Sequence, residues 1–231
     1  MSSGTDLFIL IGPPGSGKGS LSELCIRNLG WTQLSTGNLC RKHIADQTEI
    51  GKQIDFAIKS GKLVSDSLVT SMVEEWLQSQ MGKVPAVILD GFPRTVAQAK
   101  ALDEFLKSRN QTLKLSIIRL LISDENVVSR LSNRYICSYI ECQAIYSIGV
   151  GSTLVPKKSM ICDICNYVLI RRKDDEESAI RERLLIYNKH QHDLLNFYKS
   201  AQYQVLELNV EKPLSDVFES FKKLVDIGFK K

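Results

Sequence analysis

The feature that most constrains this chain is a glycine-rich turn, Gly12-Pro13-Pro14-Gly15-Ser16-Gly17-Lys18-Gly19-Ser20, set directly after an apolar run over residues 7–11. A short apolar run bounded by glycine and proline reads as a buried parallel strand. After Gly17 the spacing places Leu21, Leu24, Cys25 and Leu29 on one face of a helix. Glycines between such a strand and helix let backbone N–H groups converge on phosphate oxygens, and the helix N-terminus adds a favourable dipole. Lys18 can then reach the outer phosphates of a nucleoside triphosphate. The strict phosphate-loop pattern has Ser or Thr directly after the lysine; here Gly19 intervenes before Ser20. The loop points to a nucleotide phosphate without separating a kinase from an ATPase switch.

Strand-like stretches recur at 32–35, 86–89, 115–122 and 203–208. Between them lie helical patterns at 37–60 in two pieces, 66–80, 95–108, 124–134, 174–199 and 214–226. This alternation predicts an α/β fold, a doubly wound parallel five-stranded sheet whose ligands bind beyond the carboxyl ends of the strands. Residues 135–171 break it. They show no helical period and hold Gly149, Gly151, Pro156 and four cysteines, and a structureless loop of that length is uncommon, so a small inserted domain is expected. With 43% hydrophobic and 24% charged residues among 231, a sizeable core is possible. A net charge of +4 with no concentrated basic face gives no case for a nucleic-acid partner. No apolar run approaches the ~20 residues of a membrane span, and the polar N-terminus lacks the basic start of a signal peptide. A cytoplasmic protein without membrane or nucleic-acid partners is expected.

Asp90 ends an apolar strand at the carboxyl edge of the predicted sheet, where a carboxylate can organise magnesium through water. Lys18, Arg94, Arg134, Arg172 and Arg183 are the catalytic candidates, because phosphoryl transfer asks for positioning and charge stabilisation more than for a general base. Arginine's planar fork binds two phosphate oxygens and keeps its charge. Any one of these arginines could instead lie on a solvated face.

Together these residues fall into motifs. Gly12 to Ser20 is followed by Ser35-Thr36-Gly37 with Arg41, by Asp90-Gly91-Phe92-Pro93-Arg94-Thr95, by Arg130-Leu131-x-x-Arg134, and by Arg172-x-Asp174-Asp175 with Arg183. In that order, over nearly the whole chain, they resemble the adenylate kinases within the nucleoside monophosphate kinase family. The resemblance implies reversible Mg-dependent transfer from ATP to AMP giving two ADP, on a phosphate-loop sheet with a helical AMP-binding insert and a small zinc-type lid. It also implies a monomer. By resemblance, Gly15, Ser16, Gly17, Lys18, Gly19 and Ser20 bind the donor phosphates, and Arg130 and Val210 lie at the donor base. Arg41 and Arg94 hold the AMP phosphate. Thr36, Lys62, Val64, Gly91 and Gln98, with Arg172 and Arg183, complete the AMP site. Threonine at position 36 goes with AMP in the family, where pyrimidine kinases usually have alanine. The Gln98 amide offers a donor and an acceptor to the N1 and N6 edge of adenine.

The chain departs from the family pattern at Ser20, at Asn38 where aspartate is common, at Ser65 where proline is common, and in 208–213, which lack a glycine. The last departure leaves ATP and GTP both open as donor. Other readings are a pyrimidine nucleoside monophosphate kinase of the same fold, or a nucleotide- and zinc-binding protein without catalysis.

Cys137, Cys142, Cys162 and Cys165 form a CxxxxC and a CxxC pair. Four thiolates held tetrahedrally would bind structural Zn2+ and leave no open catalytic position; buried unliganded cysteines or a redox pair are the alternatives. Gln143 and Asn166 stand where glycines usually follow such knuckles. The expected divisions are a core of 1–34, 66–133 and 174–231, an AMP-binding insert of 35–65 and a lid of 134–173. His43, His190 and His192 read as surface or packing residues. Ile180, Leu184, Tyr187, Leu194 and Tyr198 read as a core-facing helical stripe.

Overall fold

A computed structural model describes residues 5–59, 64–108, 114–149 and 154–229; Lys62 lies outside them. The expected parallel sheet is present. Strands β1 (Asp6–Ile11), β2 (Thr32–Ser35), β3 (Ala86–Asp90), β4 (Leu115–Leu121) and β8 (Val205–Asn209) lie in the order β2-β3-β1-β4-β8, every neighbouring pair parallel. In a parallel sheet both faces are covered, so its strands are apolar at successive positions. Residues of β1 show why. Leu7, Ile9 and Ile11 enter a core completed by helices α4 (Asp66–Gln80), α5 (Val96–Ser108) and α7 (Glu177–Ser200). Phe8 and Leu10 enter a second core with α1 (Lys18–Leu29) and α8 (Leu214–Phe229) on the opposite face. There Phe8 stacks on Trp31 with ring centroids 4.4 Å apart.

The predicted inner faces match. Leu21 and Cys25 of α1 are buried, with Leu24 and Leu29 packed against the same core. Ile180, Leu184, Leu194 and Tyr198 of α7 are buried. Helices α2 (Thr36–Ala45) and α3 (Glu49–Lys59) pack closely: a β-carbon on Gly51 would come within 1.9 Å of the His43 carbonyl oxygen. His43 itself is a packing residue, its Nδ1 2.9 Å from Thr48 Oγ1.

Several boundaries differ from expectation, and three of them bear on the site or its support. Helix α6 (Asp124–Ser132) ends two residues early, and Arg134 opens strand β5 (Arg134–Cys137) instead. Helix α7 starts at Glu177 because a 3-10 turn over Lys173–Asp175 precedes it, turning the Asp175 carboxylate inward onto Arg134. Tyr203 stays outside β8; it follows Gln202, whose φ is 61°, and its hydroxyl donates to Asp103 Oδ1 at 2.6 Å.

The inserted segment contains a second, antiparallel sheet in the order β6-β5-β7, with β6 spanning Ile145–Ser147 and β7 Leu169–Ile170. Its core is Tyr146, Leu169 and the cysteines. The segment reaches back over the main sheet. Glu141 pairs with Lys42 of α2 at 3.1 Å, and a β-carbon on Gly19 would lie 3.6 Å from Ile145 Cδ1.

Candidate active site

Beyond the carboxyl ends of the parallel strands lies a cleft of about 2000 Å³. Pockets for one small molecule commonly span ~300–1,000 Å³, so this one has room for two ligands. Every sequence-nominated nucleotide residue among the described ones lines it: Gly15 to Ser20, Thr36, Arg41, Val64, Asp90, Gly91, Arg94, Gln98, Arg130, Arg134, Arg172, Arg183 and Val210. His190, an exposed residue of α7 in keeping with a surface reading, also lines the cleft.

The phosphate loop enters α1 through Gly17, whose φ of 89° is left-handed and suits glycine. The Arg130 guanidinium stands over it, 3.8 Å from where a β-carbon would sit. The Lys18 ammonium donates to the carbonyls of Gly12 and Pro13, both at 2.9 Å. Burial pushes its pKa below the ordinary lysine value. Asp90 opposes that shift, while Arg94, Arg183 and Arg134 reinforce it. Residues 18, 94, 134 and 183, remote in sequence, therefore share one field.

The arginines fall into linked groups. Arg134 donates to buried Asp175 through Nε at 2.8 Å and Nη2 at 2.6 Å. Arg183 Nη1 donates to the Asp174 carbonyl at 2.8 Å and lies 3.0 Å from Asp174 Oδ2 and 3.6 Å from Asp175 Oδ1. Burial, then the neighbouring charges of Arg134 and Arg41, brings Arg172 down to about 10. Arg41 and Arg183 are also lowered, chiefly by burial. Nε of Arg41 and Nε of Arg172 are buried without a hydrogen-bond partner. Crowded, partly desolvated cations with unused donors form a receptor for a polyanion.

At the other end, Arg94 Nε donates to the Gly91 carbonyl at 2.8 Å. Gly91 has φ of 81°, and a β-carbon there would come 2.9 Å from Thr36 Oγ1 and 3.0 Å from Arg94 Nη2. Thr36 is buried, its hydroxyl donating to the Gly91 carbonyl at 3.0 Å. Gln98 is 5% exposed. Its Oε1 accepts from the Arg94 N–H at 2.7 Å, and its Nε2 donates to Asp66 Oδ1 at 2.7 Å. Asp90 Oδ2 accepts from Gln33 Nε2 at 3.1 Å and sits 3.9 Å from where a Gly19 β-carbon would be. Arg130 Nη2 donates to the Val210 carbonyl at 2.6 Å.

The sequence reading gave no role to Asp66, Gln33 or the acidic pair Asp174-Asp175. Asp174-Asp175 did stand inside a quoted motif, and that was the available signal. Asp66 and Gln33 act on partners 32 and 57 residues away, which no local pattern reveals.

In the inserted segment the Sγ atoms of Cys137, Cys142, Cys162 and Cys165 all lie within 4.8 Å of one another. The Cys137–Cys165 and Cys142–Cys162 separations are 3.2 and 3.7 Å. Four sulfurs at about 2.3 Å from a tetrahedral zinc would stand about 3.8 Å apart, so the donor set fits. Knuckle-type N–H donors from Tyr139 and Ile164 point at Cys137 and Cys162, both at 3.4 Å. Gln143 and Asn166, standing where glycine was anticipated, have left-handed φ of 48° and 61°. The backbone form is kept without the glycine that would adopt it most easily.

Comparison with known proteins gives a consistent result. A family model for adenylate kinase matches residues 10–203. The adenylate kinase of Thermosipho africanus is 39% identical over 194 residues, covering 84% of this chain and 87% of that protein. That of Clostridium botulinum is 36% identical over 218 residues (94% and 97%). That of Borrelia garinii subsp. bavariensis is 37% identical over 225 residues (97% and 99%).

Proposed function

The chain belongs to the adenylate kinase family, enzymes that are nucleoside monophosphate kinases, and on that premise we propose how its own residues divide the work. The donor is ATP, the acceptor AMP, and the reversible product two ADP. The observation that carries this reading is the gathering of Lys18, Arg41, Arg94, Arg130, Arg134, Arg172 and Arg183 around one cleft roomy enough for two nucleotides.

Backbone N–H groups of the loop from Gly15 to Ser20 and the Lys18 ammonium hold the donor phosphates. Lys18 exchanges its loop carbonyls for phosphate oxygens. Arg130 and the Val210 backbone border the donor base. Arg41 and Arg94 orient the acceptor phosphate, while Arg134, Arg172 and Arg183 neutralise charge on the transferring group. Asp90 is the group that would hold magnesium through water, and its place beside Gly19 fits that role. When bound, magnesium supplies charge neutralisation on the donor phosphates. Thr36, Val64, Gly91 and Gln98 face the AMP side.

The insert of 35–65 and the lid of 134–173 close over a core of 1–34, 66–133 and 174–231. The Lys42–Glu141 pair and the approach of Ile145 to Gly19 support a closed arrangement. Closure keeps water from taking the phosphoryl group. We place the protein in the cytoplasm as a monomer: none of its six cysteines is in a disulfide, and one chain supplies all the cations. No helix among the described residues is long and apolar enough to cross a membrane.

Coupled assays over nucleotide pairs test this directly. ATP with AMP should give the highest kcat/KM. GTP with AMP, or ATP with CMP or UMP, giving a higher value would replace the donor or the acceptor assignment.

Zn2+ is the proposed occupant of the cysteine site, a structural tie for a lid with little apolar core of its own. Protein purified without chelator should carry about one zinc per chain by elemental analysis. Cys162→Ser should lose it and lower the thermal midpoint by roughly 6–12 °C, about 3 kcal/mol for a chain of this size. A metal-free, equally stable parent would leave the cysteines as a packed thiol cluster.

A further inference from the structure

We propose that Asp66 is a positioning residue that sets the acceptor-base selectivity of this site by locking the orientation of the Gln98 amide; this rests on the assignment of Gln98 to the AMP base. Asp66 is the first residue of α4, with Ser65 as its N-cap. Its two carboxylate oxygens are both engaged across the cleft wall. Oδ1 accepts from Gln98 Nε2 at 2.7 Å and Oδ2 accepts from Thr95 Oγ1 at 2.8 Å. On the far side of the amide, Gln98 Oε1 accepts the Arg94 backbone N–H at 2.7 Å.

A glutamine amide is nearly symmetric in shape, and a free one turns over to present either its oxygen or its nitrogen to a given partner. Here a half-turn would set carbonyl oxygen against carboxylate oxygen and NH2 against N–H. Two attractive contacts would become two repulsive ones, in a place where Gln98 is almost fully buried. The amide is held one way round, yet each end keeps spare capacity: a second N–H on Nε2 and a second lone pair on Oε1.

Base chemistry makes that orientation matter. Adenine presents an acceptor at N1 beside a donor at N6. Hypoxanthine and guanine present the reverse, a donor at N1 beside an acceptor at O6. An amide free to turn would serve either edge. An amide held by Asp66 serves one and leaves the other with like facing like, the arrangement from which polar sites draw their strongest discrimination. Gln98 reads the base, and Asp66 is the side chain that, with the Arg94 N–H at the other end, sets which base it reads.

IMP is the appropriate probe, since it differs from AMP only at that edge. Two variants remove the lock in different ways. Asp66→Asn can accept either amide orientation at the Nε2 end, and Asp66→Ala removes the partner at that end, leaving the Arg94 N–H as the one contact that still favours the parental orientation. In both, the AMP-to-IMP ratio of kcat/KM should fall by roughly 10- to 100-fold, the range that one charge-assisted hydrogen bond commands. The kcat with saturating AMP should stay within about threefold, since neither variant touches the phosphate-binding cations. A contact that merely ties α4 to α5 would change stability, or both substrates alike, and would leave the ratio where it was.

Gln98→Ala is the companion measurement. If it leaves the ratio unchanged, Gln98 does not read the base and the AMP-site assignment itself falls. If it collapses the ratio while either Asp66 variant that folds by its thermal midpoint keeps the parental value, the base reading stands and the role of Asp66 is overturned.

Discussion

Arg94→Ala is expected to fold like the parent and to turn over about 10³- to 10⁵-fold more slowly, the range that a well-placed guanidinium contributes to phosphoryl transfer. The two halves of that expectation come from different observations. Arg94 is exposed, so its removal leaves no cavity. Its structural partner, the Gly91 carbonyl, still accepts from Thr36 Oγ1 at 3.0 Å. Substitutions without a buried consequence usually change stability by no more than about 0.5 kcal/mol. The rate loss follows from position: the Nε–Gly91 bond aims the guanidinium into the cleft, within the field felt by Lys18. Arg94→Lys should restore only a small part of the rate, because a point charge lacks the fork. The checks are kcat and the thermal midpoint measured on the same preparations. Unchanged turnover would remove Arg94 from the transfer.

Asp175→Ala carries the largest expected stability loss, about 3–5 kcal/mol, the usual result of removing one partner from a buried pair. The Asp175 side chain is 0% exposed and holds Arg134 through two hydrogen bonds, with Arg183 3.6 Å away. Without the carboxylate, an arginine only 14% exposed is left beside Arg172 and Arg183 without its two-bond partner. The thermal midpoint should fall by roughly 6–20 °C at 2–4 °C per kcal/mol. Asp175→Asn keeps the shape but not the charge, and should lose nearly as much. A fall of less than about 1 kcal/mol in either variant would mean that the pair is as replaceable as a surface one. The same geometry has a functional side, since Asp174 and Asp175 hold three mutually repelling arginines within reach of one another.

The parallel sheet was legible in the chain because its signals are local. Residues 7–11 are apolar at every position, which only burial on both faces explains, and the turn that follows has the residue types that a phosphate requires. The nominated arginines were legible as a set through family order, and the cleft gathers Arg41, Arg94, Arg130, Arg134, Arg172 and Arg183. The small sheet was not. Its strands β5, β6 and β7 have four, three and two residues, too short for an alternating pattern to register. What organises them is contact among four cysteines up to 28 residues apart.

Carboxylate partners were equally hidden. Arg134 and Asp175 are 41 residues apart, and nothing near either residue announces the other. Gln98 is the intermediate case. Its chemical type suggested a base reader, but its orientation depends on Asp66, which in the sequence is an ordinary acidic start to a helix. The 3-10 turn before α7 has the same origin, because the helical pattern from 174 onward gives way where two aspartates have arginines to hold.

The account turns on one cleft holding two nucleotides with their phosphates meeting among these cations. Calorimetric titration with a single molecule, two adenosines joined 5′ to 5′ through five phosphates, measures that most directly. One molecule should bind per chain, displace both ATP and AMP in competition, and bind markedly more weakly to the Arg94→Ala protein. Two molecules bound per chain, or competition with ATP alone, would contradict it.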